Sequence, residues 1–371
     1  MVDLRGQYLR VKGEIDAAIQ EVLESTAFIQ GPQVSSFADA LAKKVNSRYV
    51  IPCGNGTDAL QIAMMALGLK PGDEVILPVH TYVATAEVIA LLGLTPVFVD
   101  VHPDSFNIDV NAIEEKITPH TKAIVPVHLY GQCADMHRLI LLAEKHKLFV
   151  IEDTAQALGA VYTFQDGTTK SAGTIGTIGT TSFFPSKNLG CYGDGGAIFT
   201  DDPELAGKMK MIANHGQRVK YHHDIIGVNS RLDTIQAAIL GVKLKYLEEY
   251  SQKRNEVASF YDRELGGISQ INIPVRSPFS SHVFHQYTIK VGDSRRDELK
   301  KHLEEQGIPT MIYYPVPLHQ QKAYRKDENQ TGVFPVTEEL SKTVLSLPVH
   351  TEMSEEELRF ICDTIKEYFH G

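Results

Sequence analysis

Between Glu74 and Asp153 the chain sets short apolar runs, EVILP (Glu74–Pro78), TPVFVDV (Thr95–Val101), KAIVPVHL (Lys122–Leu129) and KLFVIED (Lys147–Asp153), among stretches of helical spacing. The helix-like stretches run Asp58–Leu67, Ala84–Leu92, Val110–Ile117 and Met136–His146. Short runs rich in Val and Ile, bounded by turns and separated by amphipathic stretches, read as strands buried on both faces. Strands that alternate with helices at this interval need right-handed crossovers, so the expected core is a mostly parallel sheet flanked by helices.

Working outward, a helical segment at Val11–Leu23 and a Gly31-Pro32 turn precede a second helical stretch at Val34–Val45. On the other side a long charged helix pattern starts near Tyr250. It is followed by HVFHQYTIKV (His282–Val291), the helix-like Arg295–Gln306, TMIYYPV (Thr310–Val316) and a final amphipathic helix at Glu355–Phe369. The reading is an α/β protein with a large domain over residues 1–250 and a smaller C-terminal α/β domain over 251–371. The echo GTIGTIGT (Gly173–Thr180) is too short for a repeat architecture, which needs a period of about 20 residues or more. It reads as turn and strand beside a site.

The formal charge of −10 argues against a nucleic-acid surface, which needs Lys and Arg in excess to neutralise phosphates. Cys53, Cys133, Cys191 and Cys362 are scattered and form no Cys-x-x-Cys pair, so neither zinc nor a disulfide framework is implied. The first residues lack the uninterrupted apolar stretch of a signal peptide, and no segment approaches the ~20 apolar residues that would span a bilayer. The expectation is a soluble cytoplasmic protein without nucleic-acid or membrane partners.

In an open α/β sheet ligands collect beyond the carboxyl ends of the strands. Gly54, Gly56 and Thr57 of CGNGTDALQIAMMALG precede an apolar-periodic helix and would offer free N–H groups to an anion, although an ordinary helix cap looks the same. Asp153 ends a buried run, where a carboxylate could face a protonated ring nitrogen or merely cap the next helix; Gln156 lies one turn along. In TSFFPSKNLGCYGDGGAIFT, Lys187 follows two aromatic residues and precedes a Gly-rich turn. A partly desolvated lysine becomes a nucleophilic amine. Tyr82, after EVILP, could stack on a flat ligand or simply fill core. His80, His128 and His222-His223 have no carboxylate or Cys at ligand spacing, so no metal is expected.

GNGTDAL, PGDEVI with TYVATAE, TKAIVPVHLYG, IEDTAQ, SFFPSKNLG with GDGGAI, and GVNSRLDTIQAAIL occur in this order over nearly the whole chain. Together they resemble the DegT/DnrJ/EryC1/StrS sugar aminotransferase family, of the fold-type I pyridoxal 5'-phosphate enzymes. The resemblance implies that Lys187 carries the cofactor covalently and moves the substrate proton. Asp153 would pair with the pyridine nitrogen, Gln156 would lie near the phenolic oxygen, and Tyr82 would stack on the opposite face. Gly56, Thr57 and Ser182 would hold the phosphate.

The family's homodimers imply that Asn229 reaches the neighbour's phosphate and Arg231 an anionic part of the substrate. Tyr313, Tyr314 and His319 are expected at the sugar, although Tyr313-Tyr314-Pro315 departs from the His-Tyr-Pro frequent among relatives. Lys187 separates the chain from the branch with histidine there, which dehydrates sugars. LYGQCAD and HGQRVKYHHDIIGVNSRLDT look closest to members that move an amino group from L-glutamate to C3 of a UDP-linked 3-oxo sugar, with UDP-2-acetamido-2-deoxy-3-oxo-glucuronate the expected nucleotide-linked keto sugar. A dTDP-3-oxo-6-deoxyhexose and UDP-3-oxo-N-acetylglucosamine are the alternatives, and a non-catalytic regulator is a remote one.

Overall fold

The computed structural model describes residues 1–324 and 333–370. Its central sheet contains β1 (Tyr49–Cys53), β2 (Glu74–Pro78), β3 (Thr95–Val99), β4 (Thr121–Ile124), β5 (Phe149–Asp153), β8 (Ile178–Ser182) and β9 (Gly196–Thr200). Short pairs β6 (Val161–Thr163) with β7 (Thr169–Ser171) and β10 (Gln217–Val219) with β11 (His222–His223) lie outside it. The central order is β1-β9-β8-β5-β4-β2-β3. Strands β8, β5, β4, β2 and β3 run parallel, whereas β9 is antiparallel to both β8 and β1. The sheet is thus mostly parallel, with a reversal at one margin.

Pro52 lies in β1 and Pro96 in β3, the two edge strands, where a missing N–H interrupts no ladder on the open side. The interior strands are apolar because both faces are covered. One face packs Ile62, Ala63, Val88 and Met209 from flanking helices; the other packs Ile113, Met136 and Leu139.

A second sheet, β12 (Ile271–Asn272), β13 (Tyr287–Val291) and β14 (Val344–Leu347), is antiparallel. Its core brings Ile289, Leu345 and Leu347 against Leu299, Leu303, Ile361 and Ile365 of the helices Arg296–Glu305 and Glu355–His370. The helix Leu247–Leu265 supplies Val257, Tyr261 and Leu265 to this core. Residue 250 therefore falls inside a continuous helix.

Two segments differ from the sequence expectation. Val110–Ile117 forms two single 3₁₀ turns, Val110–Ala112 and Glu114–Lys116, in place of a helix. Asp109 caps the first turn locally by accepting from Asn111 N–H, and Pro119 disfavours helical backbone at Thr118. TMIYYPV is not a strand: Met311 makes one bridge to Ser346, and then the chain turns away to place Tyr313 and Tyr314. Pro315 and Pro317 remove the N–H groups that a longer ladder would need.

Candidate active site

The carboxyl ends of β2, β4, β5 and β8 open on one edge, so His80 and Tyr82, His128 and Tyr130, Asp153 and Gln156, and Ser182 and Lys187 all emerge there. Lys187 sits on a loop closed at its base by Phe183 N–H to Gly195 O (2.7 Å) and Cys191 N–H to Phe183 O (2.8 Å). Desolvation lowers the amine's pKa to about 8, opposed by the nearby Asp153 carboxylate, which favours the proton.

Asp153 is 8% exposed. Burial raises its pKa, and the Ala155 N–H, the Lys187 amine and the Thr85 hydroxyl hold it back. The Ala155 N–H donates at 3.0 Å and the Thr85 hydroxyl at 3.4 Å. A desolvated carboxylate of this kind gains most from a cationic partner placed directly against it.

The preceding residue, Glu152, points to the other face of β5, as the pleat requires. Wholly buried, it accepts from Gly173 N–H (2.9 Å), Ile175 N–H and Gly176 N–H (2.6 Å each) and from His128 Nε2 (2.9 Å). Ala134 N–H donates to His128 Nδ1 at 3.2 Å, so the imidazole proton lies on Nε2. Glu152 thereby ties the GTIGTIGT turn to the strand that presents Asp153. A charged residue inside an apolar run was the available signal in the sequence.

Opposite Lys187, the helix Gly56–Ala66 begins at Asn55, whose side chain accepts from Asp58 N–H at 2.8 Å. A Cβ on Gly56 would stand 2.7 Å from Ser182 Cβ, so only glycine lets the helix start approach the end of β8. Free first-turn N–H groups beside the Thr57 and Ser182 hydroxyls make a cradle suited to a phosphate. Ser230 braces it from behind, accepting from Gly54 N–H (2.9 Å) and donating to Asp58 Oδ2 (2.6 Å). Asn55 and Ser230 escaped the sequence reading; the Asn-x-x-Asp spacing was the cue to the first.

An aromatic cover completes the opening. Gln156 accepts from Tyr130 N–H (2.8 Å) and donates to the Tyr314 hydroxyl (3.2 Å). The Tyr314 ring lies 6.3 Å from that of Tyr82, which is 59% exposed, and 6.0 Å from that of His80. The Tyr130 hydroxyl donates to Tyr313 O. Several buried polar atoms nearby have no partner: Asn188 Oδ1, His80 Nδ1 and His285 Nδ1. His285 is another residue that the sequence reading missed. Its imidazole is held neutral by burial, reinforced by the neighbouring Lys187 amine.

Three expected residues are not gathered here. His319 is buried against Phe334 and hydrogen-bonded through Nε2 to Glu338 at 3.3 Å. Asn229 is exposed, bridged to Asn214. Arg231 borders a cavity of about 880 Å³ with Gln30, Lys208 and Arg218, behind the cradle and apart from Lys187. Among the described residues no group of three His, Cys, Asp or Glu could hold a metal, and no helix is long and apolar enough to cross a membrane.

An amine able to condense with an aldehyde, facing a buried acid able to hold a pyridinium proton, is the working core of the pyridoxal-phosphate-dependent transferases. The Gly56–Ser182 cradle and the Tyr82 ring fit that cofactor's phosphate and flat ring. Over residues 10–366 the sequence matches the model of the DegT/DnrJ/EryC1/StrS aminotransferase family, and the chain belongs to it. It is a pyridoxal-phosphate-dependent aminotransferase.

The chain is 47% identical over 97% of its length to the UDP-2-acetamido-2-deoxy-3-oxo-D-glucuronate aminotransferase of Pseudomonas aeruginosa, 98% of which is covered. It is 46% identical, over all of its length and 98% of the relative, to a protein of Geobacillus stearothermophilus called a pleiotropic regulatory protein. The crystal structure of S. venezuelae DesV in complex with a ketimine intermediate superposes with a TM-score of 0.95 at 40% identity, covering 100% of this chain and 98% of that one.

Proposed function

We propose that the enzyme transfers an amino group from L-glutamate to C3 of UDP-2-acetamido-2-deoxy-3-oxo-glucuronate, in the cytoplasmic synthesis of bacterial surface-polysaccharide precursors such as those of lipopolysaccharide O-antigen. The pairing of Lys187 with Asp153 carries the chemistry, and the likeness to the Pseudomonas enzyme supports the choice of sugar.

When bound, pyridoxal 5'-phosphate supplies an electron sink for the substrate carbon that bears nitrogen. Asp153 holds the ring's proton, its desolvated carboxylate gaining a partner. Lys187, with a pKa near the working pH, would carry the proton between that carbon and the cofactor, the shift that amino transfer requires. Gly56, Thr57 and Ser182 bind the phosphate, Tyr82 covers the ring, and Gln156 stays beside its phenolic oxygen. Tyr313 and Tyr314 face the sugar. In a homodimer, the exposed Asn229 and the half-buried Arg231 complete the neighbouring site, towards the phosphate and an anionic sugar group.

The regulatory name of the Geobacillus relative prompts a second reading, a cofactor-binding regulator without turnover. The intact pair of Lys187 and Asp153 favours the enzyme. The test is the sugar half-reaction run backwards: UDP- and dTDP-linked 3-amino sugars are added separately to the pyridoxal form while absorbance is followed. Reaction of the UDP-3-amino uronate alone supports the proposed substrate. Faster reaction of a 6-deoxy or C6-hydroxyl sugar replaces the uronate and keeps the mechanism. No reaction with any 3-amino sugar, while L-glutamate converts the cofactor, moves amination away from C3.

A further inference from the structure

The helix Thr234–Leu244 buries a lysine that reaches the loop bearing Lys187. Lys243 is 1% exposed. Its amine donates to the carbonyl of Gly190 and lies 5.3 Å from the centre of the Tyr192 ring. Among the described residues no carboxylate forms an ion pair with it, and burial lowers its pKa to about 8. A buried ammonium without a counter-ion is costly, and an apolar residue of the same length would serve packing better. The lysine is therefore to be explained by what it grips.

It grips the loop that bears Lys187. At Gly190 the chain folds back so tightly that a Cβ there would stand 2.3 Å from Pro185 O and 2.8 Å from Phe184 O. Phe184 O accepts from Lys187 N–H at 2.8 Å. The return arm at Gly190 thus lies directly against the backbone that aims Lys187. Gln236, two helical turns before Lys243 and on the same face, accepts from Tyr192 N–H at 2.8 Å. Gln236 and Lys243 together hold both sides of Cys191, one by an N–H and the other by a carbonyl.

We propose that Lys243 is a positioning residue for Lys187: with Gln236 it clamps the return arm Gly190–Tyr192 and so fixes the direction of the Lys187 amine. The proposal rests on the reading of Lys187 as the residue that carries the cofactor. The clamp acts through backbone geometry, since the Lys243 amine is engaged by Gly190 O and the Tyr192 ring.

The test compares Lys243→Met, which removes charge and donor at similar length, with Lys243→Gln, which keeps an N–H donor. Apo-protein is mixed with pyridoxal 5'-phosphate, and the rate of covalent linkage is followed by absorbance. Thermal midpoint, kcat per active site and sugar KM are measured on the same samples. For Lys243→Met the expected result is a midpoint at or above that of the parent, sugar KM within about twofold, and linkage rate and kcat each lower by roughly tenfold or more. Lys243→Gln should recover a large part of both.

A Lys243→Met protein that links the cofactor at the parent rate with the parent kcat overturns the proposal. So does a loss that tracks the folded fraction and vanishes per active site. If Lys243→Met does not fold, Gln236→Leu loosens the other half of the clamp, and an unchanged linkage rate there is equally fatal. Absence of covalent linkage in the parent, or its persistence in Lys187→Ala, would instead overturn the assignment of Lys187.

Discussion

The floor of the site and its rim are held in different ways. On the floor, the backbone that presents Asp153 and Lys187 is tied down: Glu152 takes three backbone N–H groups and a histidine, and the Lys187 loop is pinned at Phe183, Cys191 and Gly195. On the rim, Tyr82 is 59% exposed and Phe184 53%. A reaction common to many substrates needs fixed atoms, which ordered strands and closed loops provide. The choice among substrates can reside in side chains that are free to change. Substitutions on the floor should therefore affect kcat or folding, and those on the rim should affect KM.

The sharpest way to break that contrast is Lys187→Ala. Turnover should fall at least ~10³-fold while cofactor still binds noncovalently, read by single-turnover absorbance with L-glutamate. Near-normal turnover would remove Lys187 from the mechanism. Asp153→Asn should follow with a loss of roughly 10²–10³ in kcat and a weaker hold on cofactor, measured by fluorescence titration. Glu152→Ala acts on folding: it strands three N–H donors and His128, and should cost about 3–5 kcal/mol in denaturant unfolding. A change under 1 kcal/mol would mean that water replaces the carboxylate.

A pH series refines the floor further. Condensation with an aldehyde needs the neutral amine, and burial lowers the Lys187 pKa to about 8, well below its ordinary value. The rate of covalent linkage in apo-protein should climb with pH and level off above about pH 8. A rate still climbing beyond pH 10 would show an amine left in water. The smallest effect belongs to Arg231, proposed to reach the sugar of a neighbouring subunit: Arg231→Ala should raise the KM for an anionic sugar about tenfold with kcat within about twofold, by steady-state kinetics.

The parallel half of the sheet was legible in the sequence because β2, β4 and β5 are mostly buried and, like the half-buried edge strand β3, read as continuous apolar runs. The antiparallel margin was legible only in part: GTIGTIGT read as turn and strand, and β8 does begin at Ile178. IGTTS of β8 owes its burial to neighbours rather than to its own side chains, and β1 carries a proline that argues against a strand until its edge position is known. Lys187 and Asp153 stood out because each is a charge where the local pattern predicts none. Glu152 had the same mark, but its partners come from a turn some 20 residues on, which no local pattern connects. His319 shows the opposite situation. Its neighbours suggested a sugar contact, while Glu338, on a distant helix, takes up its imidazole.

The prolines at the two margins bear on how copies of this chain can meet. Strand-to-strand stitching across subunits needs an uninterrupted row of donors and acceptors, and Pro52 and Pro96 each delete a donor from the outer row. Quaternary contacts are thereby directed away from sheet continuation and towards helices and loops. The segments that carry Asn229 and Arg231 lie there, so in the proposed homodimer the surface that joins two copies would also complete their sites.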